Sequence, residues 1–236
     1  KIEPYRPNRR GLDHEIKILK QLNDDFFPQV IKDGLFNNEY QYLVMNEYLP
    51  SINDIRKVHD NKFDITAAFH VSTVMLNIVR TLHQKGILHL DIKPSNFMMN
   101  LNEKSPLVLI DFGFAMPIKN VVASSNFIGT RRYASINCHK NRPLGPCDDL
   151  ISWFYVFWEL LNQNNLPWKD IKNKDDVLKL KEDVIDNLSE YSKNLAKIYE
   201  YLINLMADEV PNYDYINFLI KSEMEKQEIS LNFDWI

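Results

Sequence analysis

The sequence predicts an α+β fold in which a small antiparallel sheet stands beside a mainly helical lobe. Three features predict it. Short β-like runs are concentrated in the first half, LISWFYVFWELL (150–161) is apolar on nearly every side, and amphipathic stretches follow it. With 236 residues, 45% of them hydrophobic, the chain can bury a substantial core without covalent staples.

Taken in order, Leu12, Ile16, Leu19 and Leu22 fall at helical spacing with charges between them, so a helix is expected over 12–22. Residues 30–36 and 40–45 are apolar runs separated by Asn37-Asn38-Glu39, a hairpin signal. Asp64 is the expected N-cap of a long helix whose stripe is Val71, Met75, Ile78, Val79 and Leu82, and Gly86 is its stop. Two short strands are expected at 97–99 and 107–110. The 150–161 helix should be central and buried, and amphipathic helices should cover 175–181, 193–206 and 212–226. No repeat, low-complexity block or linker rich in Gly, Ser or Pro divides the chain.

Composition narrows the function classes. Two cysteines, Cys138 and Cys147, are too few for a disulfide framework, so free thiols and a cytoplasmic or nuclear location are expected. The start, KIEPYRPNRR, is polar and basic where a signal peptide needs an apolar stretch. The 150–161 run contains Glu159 and is too short to span a bilayer, so no membrane role is expected. Net charge is -4, unevenly placed. Between Asp111 and Asp148 lie five bases (Lys119, Arg131, Arg132, Lys140, Arg142) and no acid, while from Lys169 onward 15 acids face 9 bases. The basic stretch suits either an anionic partner or a solvated loop, and composition leaves the two level.

The chemistry-bearing signal is HLDIKPSN (89–96) followed by LIDFG (109–113). Moving a phosphoryl group needs a cation to neutralise phosphate charge and a carboxylate to orient the attacking hydroxyl. Asp91 and Asn96 lie five residues apart in one loop, and Asp111 follows a short strand with Gly113 to turn the chain away. This constellation is the protein-kinase signature. Seven identities at that spacing (His89, Asp91, Lys93, Asn96, Asp111, Phe112, Gly113) would arise by chance about once in a billion positions at roughly 5% usage each.

From these motifs the chain resembles the casein kinase 1 group, and within it the tau-tubulin kinase branch. GTRRYASINCH (129–139) stands where most kinases carry Ala-Pro-Glu, and CDDLISWFY, LPWKDIKNK and the terminal NFDWI are also similar to this branch. The resemblance implies a protein-kinase-like fold and transfer of phosphate from ATP, with Mg2+, to Ser or Thr of a protein. It assigns Asp91 as catalytic base, Lys93 to charge on the transferred phosphate, Asn96 and Asp111 to magnesium, and Thr130 to shaping the site. Asp149 would accept backbone N–H bonds beneath the loop, and His89 would brace it. Asn46-Glu47-Tyr48-Leu49 resembles the hinge, with Met45 as gatekeeper, the backbone of Asn46 and Tyr48 on adenine, and Met98 and Ile110 on its face. Met98 and Ile110 read equally well as plain core from the residues alone.

Lys1 lies fourteen residues before Glu15, the family's spacing for the ATP-anchoring lysine and its glutamate. The six glycines offer no G-x-G-x-x-G, so the expectation is a kinase domain over 1–236 that lacks its first strands and glycine-rich loop. Residues 1–48 would be the remnant of the small lobe and hinge, and 49–236 the catalytic lobe. Leu90 replaces the group's usual arginine, which makes control by activation-loop phosphorylation unexpected. Arg131, Arg132, Lys140 and Arg142 would favour acidic or phosphorylated protein substrates, and Ser124 and Ser125 are weak modification candidates. A monomer without nucleic-acid partners is expected. The rival readings are a non-catalytic scaffold, a small-molecule kinase and a nucleic-acid binder.

Overall fold

The computed structural model describes residues 1–5, 11–60, 62–102, 105–120, 127–163 and 165–230. Ser124, Ser125 and the terminal NFDWI lie outside them. The fold is the expected α+β arrangement. Strands β1 (Ile2–Pro4), β2 (Lys32–Phe36) and β3 (Tyr40–Val44) form an antiparallel sheet in the order β1-β3-β2, flanked by helix α1 (Leu12–Leu19). The β2–β3 register runs from Lys32↔Val44 to Phe36↔Tyr40. It is set by the intervening turn, where Asn37 and Asn38 take φ of 51° and 58° and the Glu39 amide donates to the Phe36 carbonyl. Asparagine tolerates that left-handed conformation, so the polar triplet closes a hairpin.

An irregular segment, 45–50, leads into the larger part. Helices α2 (Ile52–Val58) and α3 (Ile65–Gln84) come first, then the paired strands β4 (Ile87–Leu88) and β7 (Met116–Pro117) and the hairpin β5 (Phe97–Met99) and β6 (Leu107–Leu109). Asp64 caps α3, its Oδ1 accepting from Thr66 and Ala67 at 2.9 and 3.2 Å. Gly86, at φ 75°, turns the chain out of the helix. Among the described residues α3 alone is long and apolar enough to cross a membrane, but half of that window is buried inside the protein. The predicted stripe from Val71 to Leu82 accounts for this, since all five of its residues are buried.

The remaining helices are α4 (Ile136–His139), α5 (Pro146–Leu161), α6 (Lys174–Glu182), α7 (Val184–Tyr191), α8 (Lys193–Asn204) and α9 (Tyr213–Lys226). Every residue of α5 from Pro146 to Leu160 is buried, as its all-round apolarity requires. It packs on α3 through Phe157 against Phe69, with ring centroids 5.2 Å apart, and the Trp153 indole donates to the Ser72 carbonyl at 2.8 Å. Both cysteines are free thiols and buried. The sequence patterns did not single out α2, α4, α7 or the short strands β1, β4 and β7.

Candidate active site

The loop between β4 and β5 is built on a carboxylate from below. Asp149, in the first turn of α5, accepts the His89 and Leu90 amides, each at 2.7 Å, on separate oxygens. His83 of α3 reaches the same carboxylate at 3.0 Å, and its other ring nitrogen bonds the Tyr213 hydroxyl. Burial alone would raise the Asp149 pKa; the His83 bond, His89 and the amide donors outweigh it and hold the group below its ordinary value. Its neighbour Asp148 moves the other way, raised by burial despite bonds from Ser135 and the Gly145 amide. Leu90 is thereby held at φ 64°, outside the region that a leucine prefers.

His89 is used on both sides of its ring. The Asp91 amide donates to Nδ1 at 3.2 Å, so Nε2 carries the proton and donates to the Ile110 carbonyl at 3.0 Å. Its ring also meets Phe112 edge-on at 5.0 Å, and Phe112 in turn meets Phe27 at 5.9 Å. The loop and the Asp111-Phe112-Gly113 turn are thus locked to each other.

The central cluster follows from that scaffold. Asp91 accepts the Lys93 ammonium on Oδ2 at 2.6 Å and the Thr130 hydroxyl on Oδ1 at 2.7 Å, and Lys93 also lies 3.3 Å from the Thr130 oxygen. Gly129 makes the approach of Thr130 feasible. It takes φ 84°, and a Cβ there would collide with the Leu90 carbonyl oxygen. The Asn96 side-chain amide donates to the Asp91 carbonyl at 2.9 Å, which leaves Oδ1 for another partner. The β5–β6 register pairs Phe97 with Leu109, and the Ile110 amide donates to the Asn96 carbonyl at 2.9 Å. Asn96 and Asp111 therefore stand at the same end of one hairpin.

On the small-sheet side, Lys1 sits 2.6 Å from Glu15 and 3.2 Å from Asp111. Burial alone would lower the Lys1 pKa; Glu15 and Asp111 outweigh it and raise it. Asp111 likewise would be raised by burial, yet the Lys1 ammonium beside it, with Lys93 further off, holds its carboxyl below the usual range. An amide oxygen and a half-exposed carboxylate at one hairpin end form a hard oxygen donor set. That set fits magnesium, which fills its remaining positions with water and phosphate oxygens. Among the described residues no group of three or more His, Cys, Asp or Glu gathers to hold a metal by itself.

Of the candidate adenine residues, Met45, Asn46 and Tyr48 lie on the 45–50 segment and Met98 on the strand beside it. Met45 is partly buried against the core, while Asn46 and Tyr48 line a hollow of about 410 Å³ together with Asp25, Phe27 and Asn100. The Leu49 amide bonds the Met99 carbonyl at 3.0 Å and Ser51 bridges to Met98, so β5 runs alongside this segment. Ile110 is partly buried between Asn96 and Asp111.

The four basic candidates do not form a single cluster. Arg131 donates to the Lys172 carbonyl, Lys140 pairs with Glu182, and Arg142 is exposed. Arg132 turns inward to Glu159, the completely buried carboxylate of α5, which also takes Arg56 at 2.7 Å and the Tyr133 hydroxyl at 2.7 Å. That ion group escaped the sequence reading. A lone carboxylate in the otherwise apolar 150–161 run was the signal for it, because such a group must find partners.

The sequence profile of the protein kinase domain matches residues 4–214. The chain belongs to the protein kinase domain family. A probable serine/threonine-protein kinase of Dictyostelium discoideum is 31% identical over 250 aligned residues, covering 100% of this chain and 50% of the relative. The chain thus spans about half the length of that curated relative.

Proposed function

We propose that the protein transfers the γ-phosphoryl group of ATP, as a magnesium complex, to serine or threonine hydroxyls of protein substrates. The observation that carries this reading is the Asp91–Lys93–Thr130 cluster, a carboxylate with an ammonium at 2.6 Å and a hydroxyl at 2.7 Å. In that arrangement Asp91 orients the acceptor hydroxyl and takes its proton as that oxygen bonds the γ-phosphorus and the bond from the γ-phosphorus to the bridging oxygen breaks, ADP leaving with that oxygen. Lys93, already beside Asp91, meets the negative charge on the phosphoryl oxygens in transit. Thr130 holds the carboxylate and the ammonium in register. Asn96 and Asp111 would hold magnesium, which when bound neutralises the phosphates. Lys1, steadied by Glu15, would anchor them. Met45, Asn46, Tyr48, Met98 and Ile110 would surround the adenine.

Within the family, the GTRRYASINCH segment supports membership of the casein kinase 1 group, nearest the tau-tubulin kinases. On this reading residues 1–48 form the small lobe and linker and 49–236 the catalytic lobe. The protein acts as a monomer in cytoplasm or nucleus, where buried free thiols such as Cys138 and Cys147 persist. Exposed Arg131, Lys140 and Arg142 support a preference for acidic or phosphorylated substrates, whereas Arg132 is committed to Glu159. The test uses the gene product, including whatever is encoded upstream of Lys1, with labelled ATP and paired acidic and neutral serine peptides. Arg131→Glu with Lys140→Glu is expected to slow the acidic peptide at least about tenfold more than the neutral one. Equal slowing of both would refute the anion preference, and failure to label any protein hydroxyl would refute the activity.

A further inference from the structure

Lysine is almost never fully buried unless it is paired with an acid. Lys181 of α6 is buried completely, at 0% exposure, and among the described residues the hydrogen-bond partners of its ammonium include no carboxylate. Nζ donates to the Ala134 carbonyl at 2.6 Å and the Arg131 carbonyl at 3.0 Å, and lies 3.4 Å from Nε2 of His139. It sits over two ring faces, 4.7 Å from the Tyr155 centroid and 5.3 Å from that of Trp168. Burial draws the amine's pKa well below its ordinary value, a sign of how much desolvation this placement costs.

All three polar partners belong to one stretch, residues 131–139. The carbonyl between two of them is held from the same side, since the Trp168 indole donates to the Arg132 carbonyl at 2.8 Å. The support is itself anchored. The Tyr199 hydroxyl of α8 donates to the Lys181 carbonyl at 2.8 Å, and Tyr155 of α5 meets Tyr199 at 3.0 Å. At its other end the supported stretch begins beside Thr130, whose hydroxyl rests on Asp91. A lysine serving only to pack α6 would be replaced without loss by an apolar residue of similar length, because burying an amine is expensive. Its polar contacts all fall within residues 131–139, two on backbone carbonyls and the third on the His139 ring, and that concentration indicates a different task, which is fixing the path of that segment.

We propose that Lys181 is the positioning residue for the protein acceptor, setting the course of residues 131–139 and hence how the acceptor chain is presented to Asp91. This rests on the kinase reading above and adds to it the residue that governs acceptor recognition from beneath. Lys181 touches neither the nucleotide side, where Lys1, Glu15 and Asp111 meet, nor the reacting hydroxyl.

The test compares the gene product with its Lys181→Met and Trp168→Phe variants in two measurements. Steady-state kinetics with an acidic protein should show Lys181→Met raising the KM for that protein at least about tenfold, with the KM for ATP and acceptor-free ATP hydrolysis changed less than about twofold. Amide hydrogen exchange should speed up at least about tenfold across 131–139 and stay unchanged across 89–96. Trp168→Phe, a milder change that removes the Arg132 bond and shrinks one ring face under Lys181, should give the same pattern at smaller size, so the test survives if the Met variant does not fold. Equal loss on the ATP and protein sides, or unchanged exchange across 131–139, would overturn the proposal. A wild-type protein that phosphorylates nothing would overturn the kinase reading instead, and the exchange measurement would still decide whether Lys181 positions the segment.

Discussion

Asp91 and Asp149 show how two buried carboxylates are given different work by their partners. Asp91 receives side-chain donors, an ammonium and a hydroxyl, and these leave room for exchange with a substrate. Asp149 receives backbone amides on both oxygens and serves as a fixed peg. Replacing Asp149 with Asn places an NH2 against an amide N–H and removes the charge, so a loss of about 3 kcal/mol in urea unfolding at pH 7 is expected. The pH dependence has a definite sign. A carboxyl whose folded pKa is depressed stabilises the fold above its unfolded value, near 3.8, and that stability disappears as pH falls through the folded pKa. The gap between wild type and Asp149→Asn should therefore be full at pH 6 and shrink below about pH 3.8. A gap independent of pH would contradict the role of charge. Asp91 was legible from HLDIKPSN because the motif fixes its chain spacing, whereas Asp149 lies outside both motifs and was reached only through the family resemblance. Lys181 was not legible, since its partners are carbonyls more than forty residues away, and carbonyls leave no mark on sequence.

At the scale of elements, the segment after Asp111 is held by apolar packing. Leu90 lies in a buried cluster with Leu88, Ala134, Cys138 and Leu144, against which Met116, Ile118, Phe127 and Ile128 pack. An arginine at position 90 would bring a charge into that cluster, whereas leucine completes it. Phosphatase treatment is accordingly expected to leave activity within about tenfold, since no arginine at 90 awaits a phosphate. Leu90→Arg should lower stability by about 2–4 kcal/mol without making activity phosphate-dependent. A phosphatase-induced loss beyond tenfold would count against the apolar clamp. Helix α3 was readable because its stripe, cap and stop are local, and α5 because its apolar run is unbroken on every side but one. Strands β4 and β7 were not, because each is two residues long and its partner lies some thirty residues away. Helix α7 follows α6 after a single residue, Asp183, with no Gly or Pro to mark a boundary.

Across the molecule, four parts of the chain converge on one site. The start of the small sheet contributes Lys1 and α1 contributes Glu15, the β4–β5 loop contributes Asp91 to Asn96, and the turn after β6 contributes Asp111. Phe112 links them inside the core, touching Phe27 on one side and His89 on the other. Asp111 is where the ammonium from the sheet and the proposed metal position meet. Its substitution by Asn keeps the shape and removes the charge that both require. The most direct measurement is transfer of labelled phosphate from ATP to an acidic protein, comparing wild type with Asp111→Asn at matched folding by circular dichroism. A loss of at least about a thousandfold is predicted. Transfer by Asp111→Asn at more than about a tenth of the wild-type rate would contradict the site described above.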